Sequence, residues 1–100
     1  MEITKMLTIS NGHVSDGTWQ KLAREASAEF GVVLPMSVYE KGNYGFFVCC
    51  ASMVDIIADE DEKEIPDDLL LCMKLAHEHG CIWLCLDDDG EIVPELPFHH

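Results

Sequence analysis

The sequence predicts a single α+β domain over residues 1–100, and three observations support this fold class. Short segments with alternating apolar residues, typical of strands, are interspersed with two segments whose apolar residues recur every three or four positions, typical of helices. Turn-forming glycine, proline and asparagine residues separate these segments. A length of 100 residues, 48% of them hydrophobic, suits one core. We expect the order β-α-β-β-α-β, with two helices on one face of a mainly antiparallel sheet, as in ferredoxin-like or split βαβ folds.

The N-terminal part is expected to form one strand and one helix. Alternating apolar residues predict a strand over residues 3–9. Ser15 or Asp16 can cap the first helix, whose apolar stripe continues to about residue 30. Gly31 then stands where a left-handed helix terminus favours glycine.

A β-hairpin is predicted in the middle of the chain. Residues 32–39 are strand-like despite Pro35, which indicates an edge strand or a bulge. A turn at residues 41–43 connects them to residues 44–51, the strongest strand pattern in the sequence.

The second half begins with an acidic loop at about residues 55–64. Residues 59–64 cannot pack, and form either a solvated loop or the frayed end of a short helix after Ser52. Pro66 then opens a second long helix, which runs to residue 79 and has acids in its first turn, where the helix dipole favours them.

The C-terminal part is predicted to contain a strand, a turn and a short final strand. The strand covers residues 81–87, and Asp88-Asp89-Gly90 resembles a tight hairpin turn. The final strand would cover residues 91–93 and be followed by a tail over residues 94–100. These elements extend the sheet by one hairpin.

The charge of the chain is strongly one-sided. The net charge is −13: residues 1–54 hold five acids and four basic residues, whereas residues 55–100 hold fourteen acids and two basic residues. So little basic surface opposes direct binding to nucleic acids or anionic membranes, since both require phosphates to be neutralised.

We expect a cytoplasmic protein. No stretch approaches the roughly 18 apolar residues of a membrane span, and the first residues do not resemble a secretory signal. The cysteines are odd in number and lie in apolar runs, which is typical of free, buried thiols in a reducing compartment. They are Cys49, Cys50, Cys72, Cys81 and Cys85.

Two segments resemble metal sites but fail on geometry. In His77-x-His79-x-Cys81-x-x-x-Cys85, the two histidines lie about 200° apart around a helix. The two cysteines share a strand face but lie about 13 Å apart, too far to hold one zinc ion. Residues 87–92 resemble a calcium loop but lack an acid at either end of it, so only weak, nonspecific calcium binding remains open.

No catalytic or cofactor-binding residue is predicted. His13, which follows a strand, is expected to cap local backbone. The sequence contains neither a nucleophile-elbow motif nor a phosphate-loop motif. An enzymatic or metal site assembled from His13, Cys49 and Cys81 stays open as an alternative.

Aromatic residues in the central hairpin raise a second possibility. Tyr44, Phe46 and Phe47 could form a platform on which bases stack. Because the chain has six basic residues, packing in the core and the hairpin is the favoured interpretation.

Five motifs recur in a fixed order. They are Ile9-Ser10-x-x-His13-Val14, Tyr44-Gly45-Phe46-Phe47-Val48, Ile65-Pro66-Asp67-Asp68-Leu69, Gly80-Cys81-x-Trp83-Leu84-Cys85-Leu86-Asp87-x-Asp89-Gly90 and Leu96-Pro97. With them the chain resembles a domain-of-unknown-function family of bacteria, plasmids and prophages. The resemblance implies an origin on mobile DNA and carries over no catalytic residue. Phe98-His99-His100 replaces the family's expected acidic-aromatic ending, and the two histidines receive no function.

The sequence thus favours a non-enzymatic acidic binding protein. Its partner would be a host protein that handles nucleic acid or acts in defence, inhibited because carboxylates mimic DNA or RNA. The predicted partner-binding residues share a charge and a region of sequence: Asp55, Asp59, Glu60, Asp61, Glu62, Glu64, Asp67 and Asp68. The alternative is a self-associating module, possible as a homodimer, in which the acids only confer solubility.

Overall fold

The elements form a β-α-β-β-α-α-β chain, which confirms the predicted α+β class. The structure, a computed structural model, describes residues 1–27, 34–42 and 44–99. Its elements are β1 (Met6–Ser10), α1 (Asp16–Ser27), β2 (Val38–Lys41), β3 (Gly45–Cys49), α2 (Met53–Ala58), α3 (Asp67–Glu78) and β4 (Trp83–Asp87). Two 3₁₀ helices, Asn11–His13 and Asp61–Glu64, precede α1 and α3. None of the described helices is long and apolar enough to cross a bilayer.

The sheet is mixed and open, with strand order β1-β4-β3-β2. β4 pairs with β1 in parallel and with β3 antiparallel, and β3 pairs with β2 antiparallel. β1 and β2 therefore run in the same direction with two strands between them, which is a split βαβ arrangement. The β2–β3 hairpin is confirmed, and β2 lies at the predicted edge of the sheet.

The helices cover one face of this sheet. Leu84 and Leu86 of β4 face the helices and are fully buried, as are Leu22 of α1 and Leu69 and Met73 of α3. Each such side chain contributes roughly 1.5–3 kcal/mol through burial. Because side chains alternate along a strand, the other residues of β4 point to the opposite face, which has no helix over it among the described residues.

Local signals fix the ends of the two long helices. The Ser15 hydroxyl accepts a hydrogen bond from the Thr18 amide at 3.3 Å, which confirms Ser15 as the cap of α1. Gly80, at φ 73°, ends α3 as predicted, and the Cys81 amide donates to the Ala76 carbonyl at 2.9 Å. The predicted end of α1 at about residue 30, Gly31 and residues 32–33 of the predicted strand lie outside the described residues. Residues 34–37 are described and are not part of a strand, so that prediction is wrong there: β2 begins at Val38, and Pro35 precedes it.

The first strand begins later than predicted, at Met6 instead of residue 3. Ile3 is 85% exposed. The neighbouring strand β4 begins at Trp83, which pairs with Met6, so earlier residues have no strand beside them. The Lys5 carbonyl still accepts a hydrogen bond from the Ile82 amide at 3.2 Å, so the chain is fixed at the start of the strand.

The predicted C-terminal hairpin and strand 91–93 are wrong. Glu91 forms a single parallel bridge to Ile9 of β1 and does not pair back onto β4. Both sides of β4 are already occupied, by β1 and β3, so no position beside it is free. Gly90 lets the chain cross β1 closely, because a Cβ at this residue would lie 2.3 Å from the Ile9 carbonyl oxygen.

Residues 91–99, the C-terminal segment, pack against the 3₁₀ helix that follows β1. His13 is 1% exposed and carries this contact. The Val93 amide donates to His13 Nε2 at 3.0 Å, and Nδ1 lies 2.8 Å from the Pro97 carbonyl. Since Nε2 accepts, the proton of the neutral ring sits on Nδ1 and is donated to Pro97. His13 does bond to backbone, but the expectation that this backbone is local is wrong, because both partners lie at least 80 residues later in the sequence.

Candidate protein-binding surface

Residues 55–68, the acidic segment, contain all eight acids predicted to bind a partner. The segment is ordered as the last turns of α2, a 3₁₀ helix and the first turn of α3. Two of its apolar side chains, Ile56 and Ile65, anchor it in the core together with Met53 just before it, and all three are at most 3% exposed. With the apolar residues inside, the intervening residues are directed to solvent, so the short-helix alternative of the sequence analysis is the one observed.

Six of the eight predicted acids are exposed. They are Asp55, Asp59, Glu60, Asp61, Glu64 and Asp67. Glu62 is half-buried, and its carboxylate lies 3.6 Å from Lys74 Nζ. The Glu60 carboxylate lies 3.2 Å from Lys63 Nζ, but both side chains are about three-quarters exposed, so the pair contributes little. Two lysines therefore neutralise only part of the negative charge.

The exposed carboxylates are spread out and do not converge on a point. Within residues 1–27, 34–42 and 44–99, three metal-ligating atoms lie within 4.8 Å of one another only at Asp87, Asp88 and Asp89, outside the acidic segment. A metal ion needs its ligands at about 2.0–2.6 Å from one centre. The acidic segment therefore suits an extended basic surface better than a metal ion.

Asp68 differs from the other acids because it holds two helices together. Its carboxylate accepts hydrogen bonds from the Ser15 amide and the Thr18 hydroxyl, both at 2.7 Å, and from the Leu69 amide at 2.9 Å. Partial burial opposes ionisation, but these donors outweigh it and hold the pKa of Asp68 below its ordinary value. We assign Asp68 a structural role at the start of α1.

Two exposed apolar side chains accompany the acids. Val54 is 65% exposed and Ile57 43% exposed. They are three residues apart on α2 and so lie on the same side of the helix. Apolar side chains bordered by charged residues are typical of protein-binding surfaces.

Asp87, Asp88 and Asp89 form a second acidic cluster at the end of β4. Lys41 forms an ion pair with one oxygen of Asp87, and the Asp89 amide donates to the other at 2.9 Å. The hydrogen bond from Lys41 lowers the pKa of Asp87, whereas desolvation and the Asp87 carboxylate raise the pKa of Asp88. Both Asp87 oxygens are therefore engaged within the protein. The residues that resemble a calcium loop form a hydrogen-bonded turn.

Gly45 explains how Lys41 reaches Asp87. Lys41 pairs with Gly45, and Gly45 pairs with Asp87, so the three residues form one row across β2, β3 and β4. Without a side chain on the middle strand, the lysine extends across it to the carboxylate. A Cβ on Gly45 would also lie 2.4 Å from the Leu86 carbonyl oxygen.

The residues of the enzyme or metal alternative do not come together in the structure. Both ring nitrogens of His13 are engaged with the C-terminal segment. In the described residues, neither His13 with Cys49 and Cys81 nor the segment from His77 to Cys85 brings three ligand atoms within 4.8 Å.

The thiols are free, as predicted. Burial raises the pKa of Cys50 and of Cys72 to about 12, and such thiols are poor nucleophiles. Cys49 is half-exposed, which departs from the expectation that all five cysteines are buried.

The three residues of the possible aromatic platform are divided between the two faces of the sheet. Phe46 is buried and packs edge-on against Trp19 at 4.6 Å between ring centroids. Phe47 points to the open face, because neighbouring residues of a strand face opposite sides. Tyr44 precedes β3 and is 51% exposed.

Tyr39 and Trp83 also lie on the open face, and neither was predicted as a functional residue. Their rings lie 6.1 Å apart, on either side of the strand that carries Phe47. The two-residue period of the strands could have indicated that these aromatic residues share the face opposite the helices. With two long helices on one face of the sheet, every second strand residue had to point away from them.

The fold and surface define a small α+β domain with an acidic surface segment and an open sheet face. The chain belongs to a family of unknown function, DUF5983, whose C-terminal domain matches residues 6–100. The expectation of an uncharacterised domain family is thereby confirmed. No curated protein and no solved structure matches the chain.

Proposed function

We propose that this protein is a non-enzymatic binding protein whose acidic segment occupies a basic surface of a protein that handles nucleic acid. The observation that carries the proposal is the arrangement of the six exposed carboxylates. They follow one another along a segment anchored in the core and are too dispersed to chelate an ion. A negative array of this kind competes for the same cationic side chains that hold nucleic-acid phosphates.

The proposed role is inhibition of a host protein that handles nucleic acid or acts in defence. The inhibitor, this protein, would be encoded on mobile DNA and act in the cytoplasm. Support for the origin comes from the sequence motifs, and support for the mechanism comes from charge. Val54 and Ile57 add exposed apolar side chains beside the acids, which a nucleic-acid backbone lacks. They favour a specific contact with a protein partner over simple attraction between opposite charges.

Affinity capture from bacterial lysate tests the proposal. A supporting result is one basic partner that elutes as salt rises from tens to hundreds of millimolar and is displaced by DNA. The purified partner is then measured against a charge variant that combines Asp59→Asn, Glu60→Gln, Asp61→Asn and Glu64→Gln. Affinity should fall by about fourfold to several hundredfold, because each exposed ion pair contributes about 0.2–1 kcal/mol and four of them together about 0.8–4 kcal/mol.

A matched control separates the position of the charges from their number. The variant with Glu2, Glu78, Glu91 and Glu95 all changed to Gln also removes four exposed acids and reaches the same net charge. The control should bind like the unmodified protein. Equal losses in the two variants would show that only net charge matters, and no loss in the first would refute the role of the acidic segment.

A further inference from the structure

The open face of the sheet carries three rows of paired residues. One row joins Lys41 to Asp87 across Gly45, as described above. The other two place aromatic and sulfur-containing residues side by side: Met6, Trp83 and Cys49 in one, and Thr8, Cys85, Phe47 and Tyr39 in the other. Among the described residues, no helix covers these rows.

These side chains form a cavity of about 260 Å³ lined by Met6, Tyr39, Phe47 and Trp83, which we name the aromatic notch. The Tyr39 and Trp83 rings are inclined at 50° and do not stack on each other. Tyr39 is 55% and Met6 45% exposed, so the notch opens to solvent. Within the described residues its lining contains no charged side chain.

Charge and ring geometry favour a cation as the occupant of the notch. The faces of aromatic rings carry partial negative charge, and the whole chain has a net charge of −13. A cation already contacts this face, since Lys41 Nζ lies 5.9 Å from the centroid of the Phe47 ring. Asp87 compensates the charge of Lys41, so this lysine does not repel a second cation strongly.

The chemistry of the notch selects among cations. An ammonium group is strongly hydrated, and the notch offers it no carboxylate to replace its water. A guanidinium is planar, more weakly hydrated and stacks on aromatic faces. A second copy of the chain is disfavoured because two molecules, each with a net charge of −13, repel one another.

We propose that the aromatic notch holds an arginine side chain of the basic partner protein. That the arginine belongs to a basic partner protein rests on the proposed function. The acidic segment then attracts the partner over a distance, and the notch supplies a specific short-range contact on another face of the domain.

The test follows the indole signals in ¹H–¹⁵N spectra of the full chain, which has two tryptophans. The probe is N-acetyl-arginine amide at 150 mM salt, and N-acetyl-citrulline amide is its uncharged isostere. The Trp83 signal should shift and saturate. Trp19, packed against Phe46 on the other face, should not respond. Citrulline should bind about two- to thirtyfold more weakly, the ratio expected for loss of a cation–π contact worth about 0.5–2 kcal/mol.

Variants assign the contact to the notch. Tyr39→Leu, on an exposed edge position, should weaken arginine binding at least about fivefold, and Tyr39→Phe should restore it. Leu71→Ala, at a 46% exposed apolar residue of α3, should have no effect. The four-site charge variant should also retain arginine binding. A failure of the proposed role of the acidic segment can therefore be distinguished from a failure of the proposed role of the notch.

Three outcomes would overturn the inference. Equal binding of arginine and citrulline would show a purely apolar contact. Absence of a Trp83 shift would show that no guanidinium binds. Broadening of the Trp83 signal together with a doubling of mass at higher protein concentration would place a second copy on the open face.

Discussion

Replacement of His13 by alanine should release the C-terminal segment and destabilise the whole domain. The substitution removes two hydrogen bonds, to the Val93 amide and the Pro97 carbonyl, each contributing about 1 kcal/mol. It also removes an edge-on contact with the Phe98 ring at 5.5 Å between centroids, worth about 1 kcal/mol. We expect a loss of about 3 kcal/mol, a large part of the roughly 5–10 kcal/mol available to a domain of this size.

Urea unfolding and hydrogen exchange measure the two parts of this effect. The midpoint should fall with little change in slope, and the melting temperature should drop by about 10–20 °C. The Val93 amide should lose its protection. His13→Asn keeps a donor for Pro97 and His13→Gln keeps an acceptor for Val93, so each should recover about half of the loss. An unchanged midpoint and a protected Val93 amide in the alanine variant would refute the role assigned to His13.

Three further substitutions test other contacts of the fold. Asp68→Asn should cost about 2 kcal/mol of folding stability at pH 7. Because the folded pKa of Asp68 is lowered, the carboxylate stabilises the fold above about pH 4, and this stabilisation is lost as pH falls. In urea titrations at acid pH, the variant should therefore lose less stability than the unmodified protein. Gly45→Ala should cost about 1–3 kcal/mol through the clash with Leu86 and free the Lys41 ammonium, which a lysine-directed probe detects. Gly17→Ala should be neutral or stabilising, because a Cβ there would make only an ordinary contact with the Ser15 hydroxyl at 3.9 Å. Glu60→Gly should stabilise by about 1 kcal/mol because Glu60 has φ 60°; a loss in thermal unfolding would contradict this.

The sequence predicted elements well where the signal is local. The apolar run that ends at the Asp88-Asp89-Gly90 turn identifies β4, although the strand begins at Trp83 and not at the predicted residue 81. The two-residue period of a strand then places Leu84 and Leu86 on the core face and Trp83 and Cys85 on the other. Pro66 and Gly80 mark the limits of α3 to within a residue or two, because proline and glycine act on the backbone at their own positions.

Strand pairing could not be predicted, since it depends on residues far apart in the chain. An aspartate–glycine turn after a strand is compatible with a hairpin, and only the occupation of both sides of β4 excludes one. The structural roles of Asp68 and His13 could not be predicted for the same reason. Asp68 bonds to residues about 50 positions earlier and His13 to residues about 80 positions later, so neither has a local pattern.

The position of β4 has a consequence for how the chain folds. β4 is the last strand in sequence but lies second in the sheet, where it joins β1 to the β2–β3 hairpin. The hairpin can form early from local contacts, whereas β1 must wait for a parallel partner that lies far later in the sequence, and such a non-local pairing is a slow step. We therefore expect apolar side chains of β1 and β3 to stay exposed during synthesis until residues 83–87 leave the ribosome. Folding of the sheet follows synthesis, and a chain truncated before β4 should aggregate.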